Sequence, residues 1–125
     1  MHEYNSEFFN PPAPIAYVTL RNPENNTEVV NVPMLLDTGA DATLLPHIFV
    51  EKIGVDFSAT EIFALEGFDK NISHSSVVRL QMIFENRSFR GEFLTINQNY
   101  GIIGRNVLNS LTIVFDGKTS SWKIL

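Results

Sequence analysis

The sequence predicts an all-β domain, and three observations carry that prediction. Short runs rich in β-branched and aromatic residues recur at 15–20, 29–36, 61–65, 77–84, 89–96 and 111–115. Turn-forming clusters separate them: Asn22-Pro23-Glu24-Asn25-Asn26, Gly67-Phe68-Asp69-Lys70-Asn71, Glu85-Asn86-Arg87, Asn97-Gln98-Asn99-Tyr100 and Asp116-Gly117-Lys118. The helical signal is slight and confined to two short stretches that cannot cover a sheet. With 125 residues the chain fits one compact domain and leaves no room for two full lobes.

Each element has a local reason. Residues 1–14 contain Pro11, Pro12 and Pro14 after Phe8-Phe9-Asn10, a composition that favours an extended N-terminal arm, so the folded domain is expected over 15–125. Phe8 and Phe9 in that arm are expected to pack on the domain or extend an interface sheet; the second option is a self-cleavage site. The segment 46–53 opens on a proline suited to a first helical turn and ends at Gly54, and 106–110 has room for one or two turns after Gly104-Arg105. Asp116-Gly117 between two apolar runs is a hairpin signal. The ten phenylalanines read as core and edge packing, and Trp122 as a core cover or an interface residue.

Composition excludes several classes of function. Fourteen acidic against nine basic residues give a net charge of −5, and the arginines are dispersed, so nothing in the chain forms a basic stripe for nucleic acid. The longest apolar run falls short of a membrane span, and the N-terminus is acidic where an export signal would be basic and then apolar. No membrane partner and a cytoplasmic location are therefore expected. Cysteine is absent, which removes disulfides, thiolate nucleophiles and Cys-based zinc sites. His47 and His74 read as surface residues, and Glu66 and Asp69 as solubilising charges.

The informative segment is Met34-Leu35-Leu36-Asp37-Thr38-Gly39-Ala40-Asp41-Ala42-Thr43-Leu44-Leu45-Pro46. An apolar strand delivers Asp37 into a tight turn of small residues, and a second apolar strand leaves it. A carboxylate in that position loses part of its hydration, a cost seldom met for structure alone. Gly39 permits the turn and a close backbone approach, and Thr38 supplies a hydroxyl for a buried contact. Asp-Thr-Gly by itself is weak, arising by chance in about one chain of this length in forty. A second segment strengthens it: Ile102-Ile103-Gly104-Arg105-Asn106-Val107-Leu108 again places two apolar residues and a glycine before a short helix.

Together the two segments identify a resemblance to the retropepsins, the single-domain aspartic proteases of retroviruses and related proteins. It extends over about residues 15–125. The resemblance implies a closed, mostly β barrel with one or two short helices, and an Asp37 loop braced by Ile102, Ile103 and Gly104. It also implies a hairpin flap over residues 64–76 with Gly67 and Phe68 at its tip. Asp37 would be the catalytic aspartate, Thr38 would lock two active-site loops together, and Arg105 would pair with Asp41 behind the site. Substrate backbone would be bound along Gly39, Ala40, Asp41 and Ala42 and under Gly67 and Phe68. The flap segment, with one glycine and two charges, departs from the glycine-rich tips of the viral enzymes.

Peptide hydrolysis of this kind needs two carboxylates sharing a proton, and the chain holds one Asp-Thr-Gly without an internal repeat. The second must come from another copy across a two-fold axis, so a homodimer acting on a peptide or protein substrate is expected, with no metal or organic cofactor. The alternative from another class is a non-catalytic β-barrel module for peptide binding or assembly, which would not need Asp37. A phosphoryl-transfer aspartate fits poorly because Gly39 stands where a second aspartate is usual. A metal site on Asp37 and Asp41 fails on ligand count.

Overall fold

The structure, a computed structural model, describes residues 1–55, 62–66 and 72–125. Ten strands and two short helices follow the order β1 (His2–Glu3), β2 (Ile15–Asn22), β3 (Thr27–Leu36), β4 (Leu44–Pro46), α1 (His47–Lys52), β5 (Ile62–Glu66), β6 (Ile72–Phe84), β7 (Arg87–Ile96), β8 (Gly101–Ile103), α2 (Arg105–Leu108), β9 (Ile113–Asp116) and β10 (Ser121–Ile124). The larger sheet runs β2-β3-β8-β4-β7-β6-β5, and an added β2–β6 pairing closes its first six strands into a barrel. A smaller sheet, β1-β10-β9, gathers both ends of the chain. The fold is thus the expected all-β closed barrel with two short helices.

Local chemistry explains most boundaries. Inward positions of β2 alternate with outward ones, so Ala16, Val18, Leu20 and Asn22 are buried while Tyr17 is exposed. Glu85 and Asn86 take φ of 49° and 62° between Phe84 and Arg87, the two left-handed residues of a type I′ hairpin whose twist matches its strands. Pro46 precedes α1, and Gly54 at φ 76° follows its C-terminal end, where an L side chain would be strained. The Asp116-Gly117 signal yields a hairpin, but through a four-residue loop in which the Asp116 carboxylate accepts the Thr119 amide at 3.3 Å.

The barrel core is formed by Val18, Leu20, Val32, Met34, Leu45, Met82, Phe84 and Ile103, with Trp122 of the smaller sheet packed against it. Trp122 is 1% exposed, with Phe84 on one side and the His2 ring stacked 4.3 Å away. It is a core residue. The first fourteen residues lie against the body at several points: β1 pairs with β10, the Tyr4 amide donates to the Ser120 carbonyl at 2.7 Å, and Phe9 meets Tyr100 edge-on at 5.0 Å. Packing of the aromatic pair therefore accounts for Phe9, whereas Phe8 is 53% exposed. No helix among the described residues is long and apolar enough to cross a membrane.

Differences from expectation concern short or merged elements. β4 and β8 have three residues each, too few for a periodic signal, and are defined by their partners. β6 begins at Ile72 because the segment before Val77 pairs with β5, so one 13-residue strand serves both hairpin and barrel. β9 starts at Ile113, two residues late, because the Leu111 amide still bonds the Leu108 carbonyl at the end of α2.

Gly101 sits where β3, β8 and β4 converge, and a Cβ there would press on the Leu44 carbonyl and the Met34 thioether. Gly101→Ala is expected to cost about 3 kcal/mol, read as a lower urea midpoint at unchanged slope. Gly117→Ala, with nothing within 4 Å, should stay within about 0.5 kcal/mol of wild type.

Candidate active site

The site is built where β8 is inserted between the strands that enter and leave the Asp37 loop. β8 runs parallel to β3, with Leu35 opposite Ile102 and Leu36 opposite Ile103, and antiparallel to β4, with Leu44 opposite Ile102. The loop from 37 to 43 therefore straddles the end of β8. The Asp37 amide donates to the Ile103 carbonyl at 3.0 Å, extending the β3–β8 ladder to the aspartate itself. Ile103 is fully buried under this junction. Ile102 and Ile103 are thus joined through backbone pairing to the strands on either side of the loop.

Within the loop the Gly39 amide donates to Asp37 Oδ1 at 2.9 Å, and the Ala40 amide to the Asp37 carbonyl at 3.2 Å. The first bond fixes the rotation of the carboxylate. A Cβ on Gly39 would lie 3.1 Å from Oδ1, so the residue is kept small by the carboxylate it holds. Asp37 is half-buried, while Thr38, Gly39 and Asp41 are exposed and Ala40 and Ala42 are half-buried. Residues 39–42, expected to bind substrate, thus lie on one loop, with Gly39 and Asp41 exposed and Ala40 and Ala42 turned partly toward the second loop. Gly67 and Phe68, expected at the flap tip, lie outside the described residues; the hairpin that carries them is present as β5 and β6, paired from Ile62 with Ser76 to Glu66 with Ile72.

The second loop locks onto the first through backbone atoms. The Arg105 amide donates to the Ala40 carbonyl at 2.8 Å, and the Gly104 amide to Thr43 Oγ1 at 3.1 Å. Thr43 Oγ1 donates in turn to Asn106 Oδ1 at 2.7 Å, and Thr43 is buried. Gly104 passes so close to Ala42 that a Cβ would overlap its carbonyl. Thr43 and Asn106 were not among the residues singled out from sequence as site supports. A threonine six residues after an aspartate carries no local signal, and its role follows from the 63-residue separation that the fold closes.

One expectation is corrected. Arg105 was expected to pair with Asp41; instead its guanidinium donates to the Thr38 carbonyl at 2.8 Å, and among the described residues no ion pair joins Arg105 and Asp41. Both side chains are exposed. In water a charge pair gains little, whereas a carbonyl at the head of the loop has a fixed direction that a guanidinium can meet. His47 is half-exposed with Nε2 3.1 Å from Glu51 Oε1, one turn along α1 and outside this site.

The sequence profile of the retroviral aspartyl proteases matches residues 13–115. The chain belongs to the retroviral aspartyl protease family. Among solved structures it is similar to the EIAV protease complexed with the inhibitor HBY-793, with 20% sequence identity, a TM-score of 0.62, and coverage of 86% of this chain and 91% of that one. At that identity the likeness establishes the fold. No curated protein sequence matches. Family and fold together support aspartic protease activity in general.

The site predicts two contrasting stability effects. Thr43→Val removes the acceptor of a buried amide and the donor to Asn106, and is expected to cost about 1–3 kcal/mol. Arg105→Ala removes an exposed contact and should cost under about 1 kcal/mol. Chemical denaturation of both variants checks the order; a larger loss from Arg105→Ala would contradict the backbone-locked account.

Proposed function

We propose that the chain is an aspartic endopeptidase whose active site is completed by a second copy, with the two Asp37 carboxylates facing each other across a two-fold axis. The observation that carries the reading is the carriage of Asp37 on a loop whose backbone is bonded to β8 and α2 while its outer side stays open. A loop held so firmly keeps the carboxylate in one orientation before substrate arrives. The exposed Thr38 hydroxyl is then available to the facing loop, and residues 39–42 to a substrate strand.

The chemistry follows from two carboxylates sharing one proton. The ionised Asp37 accepts a proton from a water held between the pair, and the water oxygen bonds to the scissile carbonyl carbon. The protonated Asp37 gives its proton to the carbonyl oxygen. The resulting tetrahedral diol breaks its C–N bond as a proton passes to the nitrogen, releasing an amine and a carboxylic acid and restoring the shared proton. Two like charges at such close range cannot both ionise freely, so the pair titrates in two steps and works between them. Above that window both lack a proton and the acid is missing; below it both carry one and the base is missing. A bell-shaped profile with a mildly acidic optimum is expected.

Asp37→Asn keeps the shape of the side chain and removes the base, so kcat/KM on a peptide library at pH 4–7 should fall by at least about 10³-fold with the fold retained. Excess Asp37→Asn subunits mixed with wild type should poison activity through heterodimers, and wild-type specific activity should fall on dilution. Activity retained in Asp37→Asn would overturn Asp37 as the base, and a wild type that binds peptides without cleaving them would leave the non-catalytic peptide-binding module as the better account.

A further inference from the structure

The loop that carries Asp37 holds a second carboxylate, that of Asp41. It is exposed, and among the described residues no hydrogen bond or ion pair engages its side chain. The second loop brings a cation close by, since the Arg105 amide bonds the Ala40 carbonyl, but the Arg105 guanidinium is committed to the Thr38 carbonyl at 2.8 Å. The backbone on either side of Asp41 is anchored. Ala40 is bonded by Arg105, Ala42 lies against Gly104, and Thr43 is buried with its hydroxyl bonded to both the Gly104 amide and Asn106. Asp41 is therefore a free negative charge on a support that is fixed before substrate arrives.

We propose that Asp41 selects substrates that carry a lysine or arginine close to the scissile bond. This rests on the reading of Asp37 as the base of a peptidase and names the kind of peptide that site takes. The loop geometry sets the range. The Ala40 amide bonds the Asp37 carbonyl and closes a turn, which keeps the Cα atoms of residues 37 and 40 within about 7 Å, and one further residue adds about 3.8 Å. An extended peptide advances about 3.3 Å per residue, so the cationic side chain falls within about three residues of the bond cut. In the free protein an ion pair at this exposed position gains little, which is why Arg105 is not drawn to it. A bound peptide covers the loop and displaces water, and the same pair is then less screened. The discrimination expected is about threefold for a lysine over a neutral residue and about tenfold over a glutamate, which Asp41 repels. The net charge of −5 pulls cationic peptides in the same direction at longer range, an effect spread over the whole surface and weakened by salt.

Charge exchange separates the local from the global effect. From a peptide that the wild type cleaves, variants with lysine, glutamine or glutamate at each of the three positions on either side of the cut are compared by kcat/KM at pH 6 and low salt. Lysine should exceed glutamate by about tenfold at one or more positions. Asp41→Asn should bring that ratio to within about twofold of unity, and Asp41→Lys should invert it. Glu24→Gln makes the same change in net charge on the distant β2–β3 turn and should keep the wild-type ratio. Where Asp41→Asn turns over too slowly to read, the ratio is taken from binding of the labelled peptides to Asp37→Asn with and without Asp41→Asn. Equal use of lysine and glutamate peptides by the wild type, or a preference that survives Asp41→Asn, overturns the role of Asp41 and leaves the Asp37 reading standing. A wild type that cleaves no peptide of a diverse library overturns both.

Discussion

The close passage of Gly104 over Ala42 is the constraint on which the site depends. Two stretches of chain some sixty residues apart meet there backbone to backbone, with no side chain between them at the contact. Such an approach is open only to glycine, and it brings the Gly104 amide to the Thr43 hydroxyl and the Arg105 amide to the Ala40 carbonyl. Those bonds set the path of the loop, the loop sets the Gly39 amide, and the Gly39 amide sets the Asp37 carboxylate. Each step is a hydrogen bond with a fixed direction. The orientation of the carboxylate is thus a consequence of barrel closure more than of its own immediate neighbours.

That chain of dependence explains why exposed charges contribute little to the architecture here. The ion pairs Arg79–Glu92 and His47–Glu51 lie on exposed surface, where solvent screens them. Arg105 is itself used as a directed donor to a carbonyl. What must be buried near Asp37 is apolar or internally bonded: Leu36, Ile103 and Thr43. The Asp37 carboxylate is left half-open, where, in the proposed two-copy site, a facing carboxylate and a water share its proton.

The legible and illegible parts of the sequence divide along a physical line. Long strands such as 15–22 and 87–96 announce themselves because many residues contribute to one pattern, and the Asp37 loop does so because an aspartate among small residues between leucines is costly without a purpose. β4 showed only as the apolar pair leaving the Asp37 turn, and β8 was not legible as a strand, since three residues carry no period and its existence is decided by partners far along the chain. The Thr43–Asn106 bond and the turning of Arg105 to Thr38 are tertiary choices of the same kind. The family resemblance suggested Asp41 for Arg105, but between two solvated side chains charge decides little.

The placement of the chain ends adds a last step. In the described protomer β1 completes a sheet within its own chain, and Trp122, buried beneath His2, joins that sheet to Phe84 of the barrel. The aromatic burial that holds the terminal sheet is therefore spent within one copy, and the small sheet belongs to the same core as the barrel. Under the two-copy reading proposed above, each copy brings this sheet already formed, so folding can precede assembly and completion of the site follows concentration.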